Sequence, residues 1–305
     1  MIGFKSILIK KQDLLARTNY KDSKGIDMEK IGILTDSASN IEENISEGIF
    51  VVPLYLNFGN ESKKDLVEIS PDELFSRVSE MPFTSAPSVD DFLVKINLIK
   101  DEGYTKILAI GVSQALSGTF NAMRLALDQQ NLDYRLIDSK NITMTEGLLV
   151  MYAKSLISQG IGFEDLGTML EDKIKDLRIF ASVSDLSHLI RGGRLSAVSG
   201  LIGGTLRINP ILTIDEKGAI ANHKSVVGTK RAISFIAKET RKALENADRY
   251  YLALAYGENA EDIEPIKEKL SDLIDGAELY IESPVTAVLG CHSGPSTYLV
   301  SFLKI

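Results

Sequence analysis

The sequence predicts an α/β protein that has a parallel-sheet N-terminal domain with helices on both faces, and a smaller mixed α+β C-terminal domain. From residue 31 to about 159, short apolar runs alternate with helical patterns, which is typical of a parallel sheet covered on both faces. After about residue 175 the alternation gives way to two strands around Asp215-Glu216-Lys217-Gly218, a hairpin signal. We therefore expect an N-terminal extension at 1–27 whose structure the sequence does not predict, an N-terminal domain at 28–175 and a C-terminal domain at 176–305.

Apolar runs and capping residues predict the elements of the N-terminal domain. Ser70, Pro71 and Glu73 form a helix-start pattern: a serine N-cap, a proline at the first helical position and a glutamate three residues after the cap. Ser88 and Asp91 repeat this pattern. The predicted order is strand 31–35, strand 50–56, helix from 71, helix from 89 to about 101, strand 107–112, helix from 119, strand 134–137 and helix 143–159.

The C-terminal domain combines apolar strands with two long amphipathic helices. The predicted order is strand 178–183, strand 211–214, strand 219–226, helix 229–246, strand 251–255, helix 260–274, strand 283–289, a turn at His292 and a C-terminal helix.

Composition excludes several classes of protein. The chain has 305 residues, 44% of them hydrophobic, which is enough for proper cores in one or two domains. Its net charge of −8, its lack of tryptophan and the absence of a basic stripe argue against nucleic acid as a partner. No run approaches the roughly 18 apolar residues of a membrane helix, so we expect at most transient membrane contact. Cys291 is the only cysteine, which favours a reducing compartment, and we expect a cytoplasmic protein.

Three short polar turns lie directly beside apolar runs: Thr84–Ser88, Ser117–Phe120 and His292–Pro295. Together they are typical of a receptor for one small acidic group. Ser117 precedes a predicted helix, whose first unpaired amides and dipole favour an anion. His292 stands between glycines after an apolar run, where an imidazole can donate to a carboxylate. None of the turns resembles a nucleotide-binding glycine loop.

Other interpretations of these residues remain open at this point. Ser117 and His292 with Asp36 or Asp138 supply the side chains of a hydrolase triad, but Ser117 lacks the Gly-X-Ser-X-Gly elbow, and serines at helix starts are usually caps. Asp36 itself can cap backbone amides without touching a ligand. A lone histidine is often a hydrogen-bonded filler of the core. The spacing of the three histidines is not typical of zinc, and we expect no metal site.

Arg191-Gly192-Gly193-Arg194 is a second dense motif. Two arginines on a glycine turn suit a phosphate or an acidic partner. A helix that ends with a C-cap at Gly192 or Gly193 explains the same residues structurally.

The ordered set of motifs resembles the DegV family over almost everything from Met28 to the end. The residues that carry the resemblance are Ile33-Leu34-Thr35-Asp36-Ser37, Thr84-Ser85-Ala86-Pro87-Ser88, Leu116-Ser117-Gly118-Thr119-Phe120, Ile137-Asp138-Ser139, Arg191-Gly192-Gly193-Arg194-Leu195, Asn209-Pro210-Ile211-Leu212 and His292-Ser293-Gly294-Pro295. The resemblance implies a two-domain protein that binds a long-chain fatty acid in a tunnel between the domains. It further implies the fatty-acid-binding subunit of a bacterial fatty acid kinase, which presents the carboxylate to a separate ATP-dependent kinase subunit that makes acyl phosphate for phospholipid synthesis.

By motif position, the resemblance assigns the carboxylate contacts to Thr84, Ser117 and His292. This sequence departs from the common pattern at Ala86, where glutamine is frequent, and at Gly111-Val112-Ser113, where a double serine is frequent. The residues that flank the motifs are candidates for the tunnel lining: Phe83, Leu116, Phe120, Leu201 and Ile202. The basic residues that we consider for the kinase contact are Arg191, Arg194, Arg207, Lys230 and Arg231.

If the partner brings ATP, no side chain of this chain needs to perform chemistry, and we expect a non-catalytic subunit without a cofactor. The alternatives are a phosphotransferase with His292 as phosphoacceptor, a lipid hydrolase using Ser117 and His292, and a regulatory protein that responds to fatty acids.

Overall fold

The computed structural model describes residues 7–11, 29–194 and 208–305. The strands of these ranges are β1 (Ile7–Lys11), β2 (Ile31–Asp36), β3 (Ile49–Val52), β4 (Tyr55–Phe58), β5 (Glu61–Lys64), β6 (Phe83–Ser85), β7 (Lys106–Gly111), β8 (Asp133–Asp138), β9 (Leu177–Ser182), β10 (Ile208–Ile214), β11 (Ile220–Val227), β12 (Tyr250–Tyr256), β13 (Leu279–Pro284) and β14 (Tyr298–Lys304). The α-helices are α1 (Pro71–Ser76), α2 (Val89–Asp101), α3 (Thr119–Leu127), α4 (Met144–Ser158), α5 (Phe163–Lys173), α6 (Ser187–Arg191), α7 (Thr229–Leu244), α8 (Glu264–Lys269), α9 (Ser271–Gly276) and α10 (Ala287–Ser293). Short 3₁₀ helices span Ser37–Ser39, Ile45–Glu47, Val78–Glu80, Ile174–Asp176 and Ala260–Ile263.

The N-terminal part is built on a four-stranded parallel sheet in the order β3-β2-β7-β8. Neighbouring residues of β2 point to opposite faces, because side chains alternate along a strand. Leu34 packs in the core formed with α2 and α3, whereas Ile33 belongs to the core that contains α4 and α5. The predicted parallel sheet with helices on both faces is therefore confirmed.

A second sheet of seven strands has the order β1-β13-β12-β14-β9-β10-β11. Only β12 and β13 run parallel within it, so this sheet is mixed. With α7 packed on it, the sheet agrees with the α+β architecture predicted for the C-terminal part. The predicted hairpin at 215–218 joins β10 to β11. After β1, strand β9 at Leu177 is the next strand of the chain in this sheet, close to the predicted domain boundary. β1 pairs antiparallel with β13, so part of the N-terminal extension forms an edge strand.

Helix α4 lies between the two sheets. It contacts β12 and β14 of the seven-stranded sheet as well as β2 and β7 of the parallel sheet. This position explains why α4 is apolar on almost every side, as expected of a helix that is buried all round. Helix α7 covers the opposite face of the seven-stranded sheet, where its Ile233 and Ile236 pack with Phe180 and Ile211. The cavity described below lies on the α4 side.

Two predicted elements of the sequence are wrong in their bounds because of single residues. The strand expected at 50–56 is two strands. β3 belongs to the parallel sheet, and β4 is the middle strand of a third, antiparallel sheet in the order β5-β4-β6. Pro53 separates them, since proline has no amide hydrogen for a sheet ladder. The helix expected at 260–274 is a 3₁₀ helix followed by α8 and α9, and Leu270 lies between the latter two.

The C-terminal prediction is also wrong. The strand expected at 283–289 ends at Pro284, and residues 287–293 form helix α10, so His292 lies in a helix rather than in a turn. The last element is strand β14 instead of a helix. It lies between β12 and β9 with both of its faces buried, which is why its apolar run shows no strand alternation. No helix in the described ranges is long and apolar enough to span a membrane.

Candidate functional site

A mostly apolar cavity lies between the inner face of the seven-stranded sheet, α10 and the carboxyl ends of β2 and β7. Its apolar lining comes from both halves of the chain and includes Val112, Leu189, Leu212, Val288 and Leu299. The polar side chains that line it include Thr84, Ser117, Arg194, His292 and Ser293. The structure therefore brings the three residues proposed for an acidic group to one cavity.

Thr84 and His292 contact each other directly across 208 positions of sequence. The Thr84 Oγ1 atom lies 2.8 Å from His292 Nε2, within hydrogen-bond distance. Thr84 is held on β6, where it pairs with Leu56 of β4. His292 is held in the last turn of α10. The first turn of α10 is fixed by the Thr286 hydroxyl, which accepts from the Leu289 amide at 3.4 Å.

Asp65 is a further support of α10 that the sequence did not indicate. Its carboxylate is fully buried and accepts from the Val288 amide at 3.3 Å, in the first turn of the helix. A carboxylate is favoured at a helix N-terminus because of the helix dipole. Burial nevertheless raises the pKa of Asp65 to about 6, against the opposing effect of its hydrogen bonds to Ser37 and Thr286.

His292 is a neutral imidazole in this site. Burial, and then the positive charges of Arg194 and Arg191, lower the pKa of His292 to about 4. The Nδ1 atom is buried and has no hydrogen-bond partner among the described residues. Gly192 of the α6 turn lies directly against it: a β-carbon at Gly192 would stand 2.2 Å from Nδ1. Only glycine leaves the imidazole in this position.

Ser117 lies at the start of α3, as predicted, two residues before the first helical residue. Its hydroxyl is 2.8 Å from the Thr119 hydroxyl and accepts from the Thr119 amide at 3.3 Å. The Arg194 guanidinium adds a link to the neighbouring residue, since Arg194 Nε donates to the Leu116 carbonyl at 3.2 Å. The turn after α6 thus contacts both the loop that carries Ser117 and the imidazole of His292.

The structure supports the interpretation of the Arg191–Arg194 motif as the end of a helix, and it also places Arg194 at the cavity. Helix α6 ends at Arg191, and Gly193 adopts a φ of 71°, the left-handed conformation typical of a residue that follows a helix. The Arg194 amide donates to the Leu189 carbonyl at 3.2 Å, which closes the helix end. Arg194 also lines the cavity, whereas Arg191 is exposed.

The side chains of a hydrolase triad are not assembled. The Asp36 carboxylate is fully buried and accepts from the amides of Ala38 and Val112, both at 3.0 Å. It is therefore a structural cap that joins the ends of β2 and β7, and burial raises its pKa to about 7. Asp138 accepts from Gln114 Nε2 at 2.8 Å. Of the two nitrogens of His292, Nε2 faces Thr84 and Nδ1 faces Gly192, so neither carboxylate orients the imidazole.

Two of the predicted lining residues lie elsewhere. Phe83 is 58% exposed and does not line the cavity, because Thr84 faces inwards and its neighbours on β6 must face outwards. Phe120 lines a neighbouring cleft and packs over Gly111 at the end of β7. Leu116 is the predicted residue that does line the cavity. Leu201 and Ile202 lie outside the described residues.

Of the basic residues considered for a partner contact, Arg194 is the one among the described residues that lines the cavity. Lys230 and Arg231 are exposed in the first turn of α7, a helix that covers the other face of the seven-stranded sheet. Arg207 lies outside the described residues.

Sequence reasoning missed most of the apolar lining on β9, β10 and α10. Ile179 and Ala181 line the cavity, and Phe180 between them faces the other side of the sheet. Strand alternation was therefore the sequence signal for these lining residues. It did not show which of the two faces carries the cavity.

Comparisons with known proteins agree with this architecture. A model described as an uncharacterised protein of the DegV family matches residues 30–304. A DegV domain-containing protein of Clostridium acetobutylicum is 32% identical over 286 residues, which cover 91% of this chain and all of that protein.

Two solved structures are similar over nearly the whole chain. One is a DegV family protein from Thermus thermophilus whose structure is described as showing fatty acid binding. It has a TM-score of 0.82 at 27% identity, and the match covers 90% of this chain and all of that chain. DegV from Bacillus subtilis, described as a fatty acid binding protein, has a TM-score of 0.82 at 27% identity, with 91% of this chain and all of its own covered. The chain therefore belongs to the DegV family.

Proposed function

We propose that the protein binds a long-chain fatty acid in the cavity and holds its carboxylate at Thr84, Ser117 and His292. The observation that carries this proposal is the convergence of these three side chains, from three separate segments, on one otherwise apolar cavity. The fatty acid binding described for the similar proteins of Thermus thermophilus and Bacillus subtilis supports it.

The two ends of such a ligand have different roles. About fourteen buried methylenes contribute roughly 11 kcal/mol at about 0.8 kcal/mol each, before ordering costs. A neutral His292 has one N–H, and because Nδ1 lies against Gly192, the nitrogen that can donate to the carboxylate is Nε2, beside Thr84. The hydroxyls of Thr84 and Ser117 are the other donors, while Arg194 supplies positive charge nearby. The acyl chain thus provides affinity, and the polar side chains fix the position of the head group.

We further propose that the bound carboxylate is presented to a separate ATP-dependent kinase, which converts it to acyl phosphate. The DegV resemblance motivates this step, and exposed Arg191, next to the turn that contacts His292, is our candidate for the kinase contact. In this role the chain positions a carboxylate oxygen and leaves the chemistry to its partner.

The binding proposal is tested by extracting lipid from the purified protein and identifying it by mass spectrometry. Wild type should carry long-chain fatty acid, and Thr84→Ala should lose at least about tenfold in affinity, since a hydrogen bond to a charged group contributes about 1.5–3 kcal/mol. Ser85→Ala is the matched control, because it removes a hydroxyl from the outward side of the same strand. Equal binding by Thr84→Ala, Ser117→Ala and wild type would contradict the head-group assignment.

The presentation step needs its own test. Loaded protein, ATP and a fatty acid kinase of the same cell should yield acyl phosphate, and the protein with ATP alone should not. Arg191→Glu should lower acyl phosphate formation without lowering fatty acid content. Fatty acid binding without acyl phosphate formation would instead favour the regulatory alternative.

A further inference from the structure

The sheet that forms the inner wall of the cavity has a gap in its strand pairing between β9 and β10. The two strands pair at Ser182 with Ile211 and at Ala181 with Leu212, and their ladder ends there. β10 continues to Ile214 as part of its hairpin with β11, while the first half of β9 continues beside β14. Beyond the last paired residues the two strands share no further ladder pairing.

This gap lies at the end of the cavity away from the head-group residues. Val183, which directly follows the other end of β9, packs with Leu189 of α6, and the turn after α6 places Gly192 against His292. Ile179 is four residues from Val183, which corresponds to about 13 Å along a strand. A ligand whose carboxylate lies at His292 therefore extends along β9 towards Ile179 and the gap.

A polar cleft occupies the other side of the gap. Ile179, Thr213 and Ile214 line both the cavity and this cleft, so they form the wall between them. The remaining lining of the cleft is rich in charged side chains, among them Asp138, Lys140, Glu171, Lys175, Arg178 and Glu216.

We infer that this wall of Ile179, Thr213 and Ile214 sets the longest acyl chain that the protein accepts. The inference rests on the proposed fatty acid function and adds its specificity. When the terminal methyl group of the ligand reaches the wall, the whole acyl chain is buried. Each further methylene must displace the wall or enter a cleft of charged, hydrated groups, where it gains little of the roughly 0.8 kcal/mol of full burial.

Ile214 is the residue of the wall that is best suited to a test. It is half-buried at the end of β10 and has a cross-strand partner of the same type, Ile220. Ile220 lines the cavity but not the cleft, so its truncation to alanine enlarges the cavity without opening the wall. Ile220→Ala is thus the matched control for Ile214→Ala.

The experiment loads each protein with an equimolar series of saturated fatty acids from tetradecanoic to docosanoic acid and measures the bound distribution by mass spectrometry. Ile214→Ala should shift this distribution to longer chains. Relative to wild type, the ratio of the first excluded acid to the longest accepted one should rise at least about fourfold, the factor for one methylene that becomes buried. Ile214→Phe, which adds volume to the wall, should shift the distribution to shorter chains, and Ile220→Ala should leave its upper limit unchanged.

An unchanged upper limit in both Ile214 variants, or an equal extension by Ile214→Ala and Ile220→Ala, would overturn the inference. These results leave the proposed function intact, because wild type still binds fatty acid. Wild type that takes up no acid of the series would instead refute the proposed function itself.

Discussion

At the scale of single residues, the site depends on how tightly His292 is enclosed. Its Nε2 atom meets the Thr84 hydroxyl at 2.8 Å, and its Nδ1 atom meets the Gly192 backbone. Burial and the nearby arginines keep the imidazole neutral at pH 7, since they lower its pKa to about 4. A neutral ring offers one donor and one acceptor, and Nε2 is the nitrogen that faces Thr84 and the cavity, since Nδ1 lies against Gly192.

Gly192→Ala should weaken fatty acid binding at least about tenfold. A β-carbon 2.2 Å from Nδ1 forces the imidazole to move, and a lost hydrogen bond of about 1.5 kcal/mol corresponds to a tenfold loss of affinity. Gly118→Ala is the matched control, because Gly118 adjoins Ser117, has an ordinary φ of −70° and open space at its β-carbon. Titration with a fluorescent fatty acid measures the affinities of both variants. Equal affinities would show that the imidazole does not depend on this contact.

At the scale of elements, helix α10 is the part of the site that sequence patterns described least well. The run Val285–Leu289 is apolar and was predicted as a strand, but Thr286 caps a helix there and Asp65 supports its first turn. Asp65 is 223 positions away from Val288 in the sequence, so no local pattern indicates the support. A distant carboxylate thus helps to decide the conformation of the segment that carries His292.

Thr286→Val should destabilise α10 by about 1 kcal/mol, the typical cost of losing an N-cap hydroxyl. The Leu289 amide, which donates to that hydroxyl, should then exchange its hydrogen faster in a hydrogen-exchange measurement. Thr286→Ser keeps the hydroxyl and should keep the protection of this amide. Equal protection in the two variants would mean that Asp65 and the tertiary contacts fix the helix without the cap.

At the scale of the whole molecule, the parallel sheet and the seven-stranded sheet share a core. Helix α4 contributes Leu148, Leu149 and Leu156 to a cluster that also contains Ile33 of the parallel sheet and Tyr251 of the seven-stranded sheet. The Thr145 hydroxyl adds a buried hydrogen bond of 2.7 Å to Ser301 of β14. The segment predicted as an N-terminal domain thus buries a large part of its apolar surface against the rest of the chain.

Residues 29–175 expressed alone should therefore not reach a native-like state. The side of α4 that contacts β12 and β14 would face water, and the exposed leucines would lose about 1.5–3 kcal/mol each. We expect dye binding typical of exposed apolar surface and no cooperative unfolding in urea, whereas the full chain should unfold cooperatively. A cooperative urea transition of the fragment would contradict this expectation and support an independent domain at 28–175.

Much of the fold followed from local patterns, and the errors arose where distant partners decide the conformation of a segment. The strand from residue 31, the hairpin at 215–218 and the capped helices from 71 and 89 are present because turn residues, caps and alternation are encoded in neighbouring residues. Pro53, Thr286 and the doubly buried β14 were misread because their effect depends on the partners of the segment. In the site, Thr84, Ser117 and His292 line the cavity, whereas Phe83 does not, and the carboxylate contacts assigned to the three stay a prediction.

The sequence by itself determined the family, the class of fold and three of the polar side chains that line the cavity, because motifs, caps and apolar periodicity are properties of short segments. Only the tertiary structure decided what surrounds them. Three of these features join segments that are distant in the chain: the contact of Gly192 with His292, the support of α10 by Asp65, and the wall of Ile179, Thr213 and Ile214. Such contacts arise when the sheets pack around α4, and packing of this kind has no signature in any single stretch of sequence.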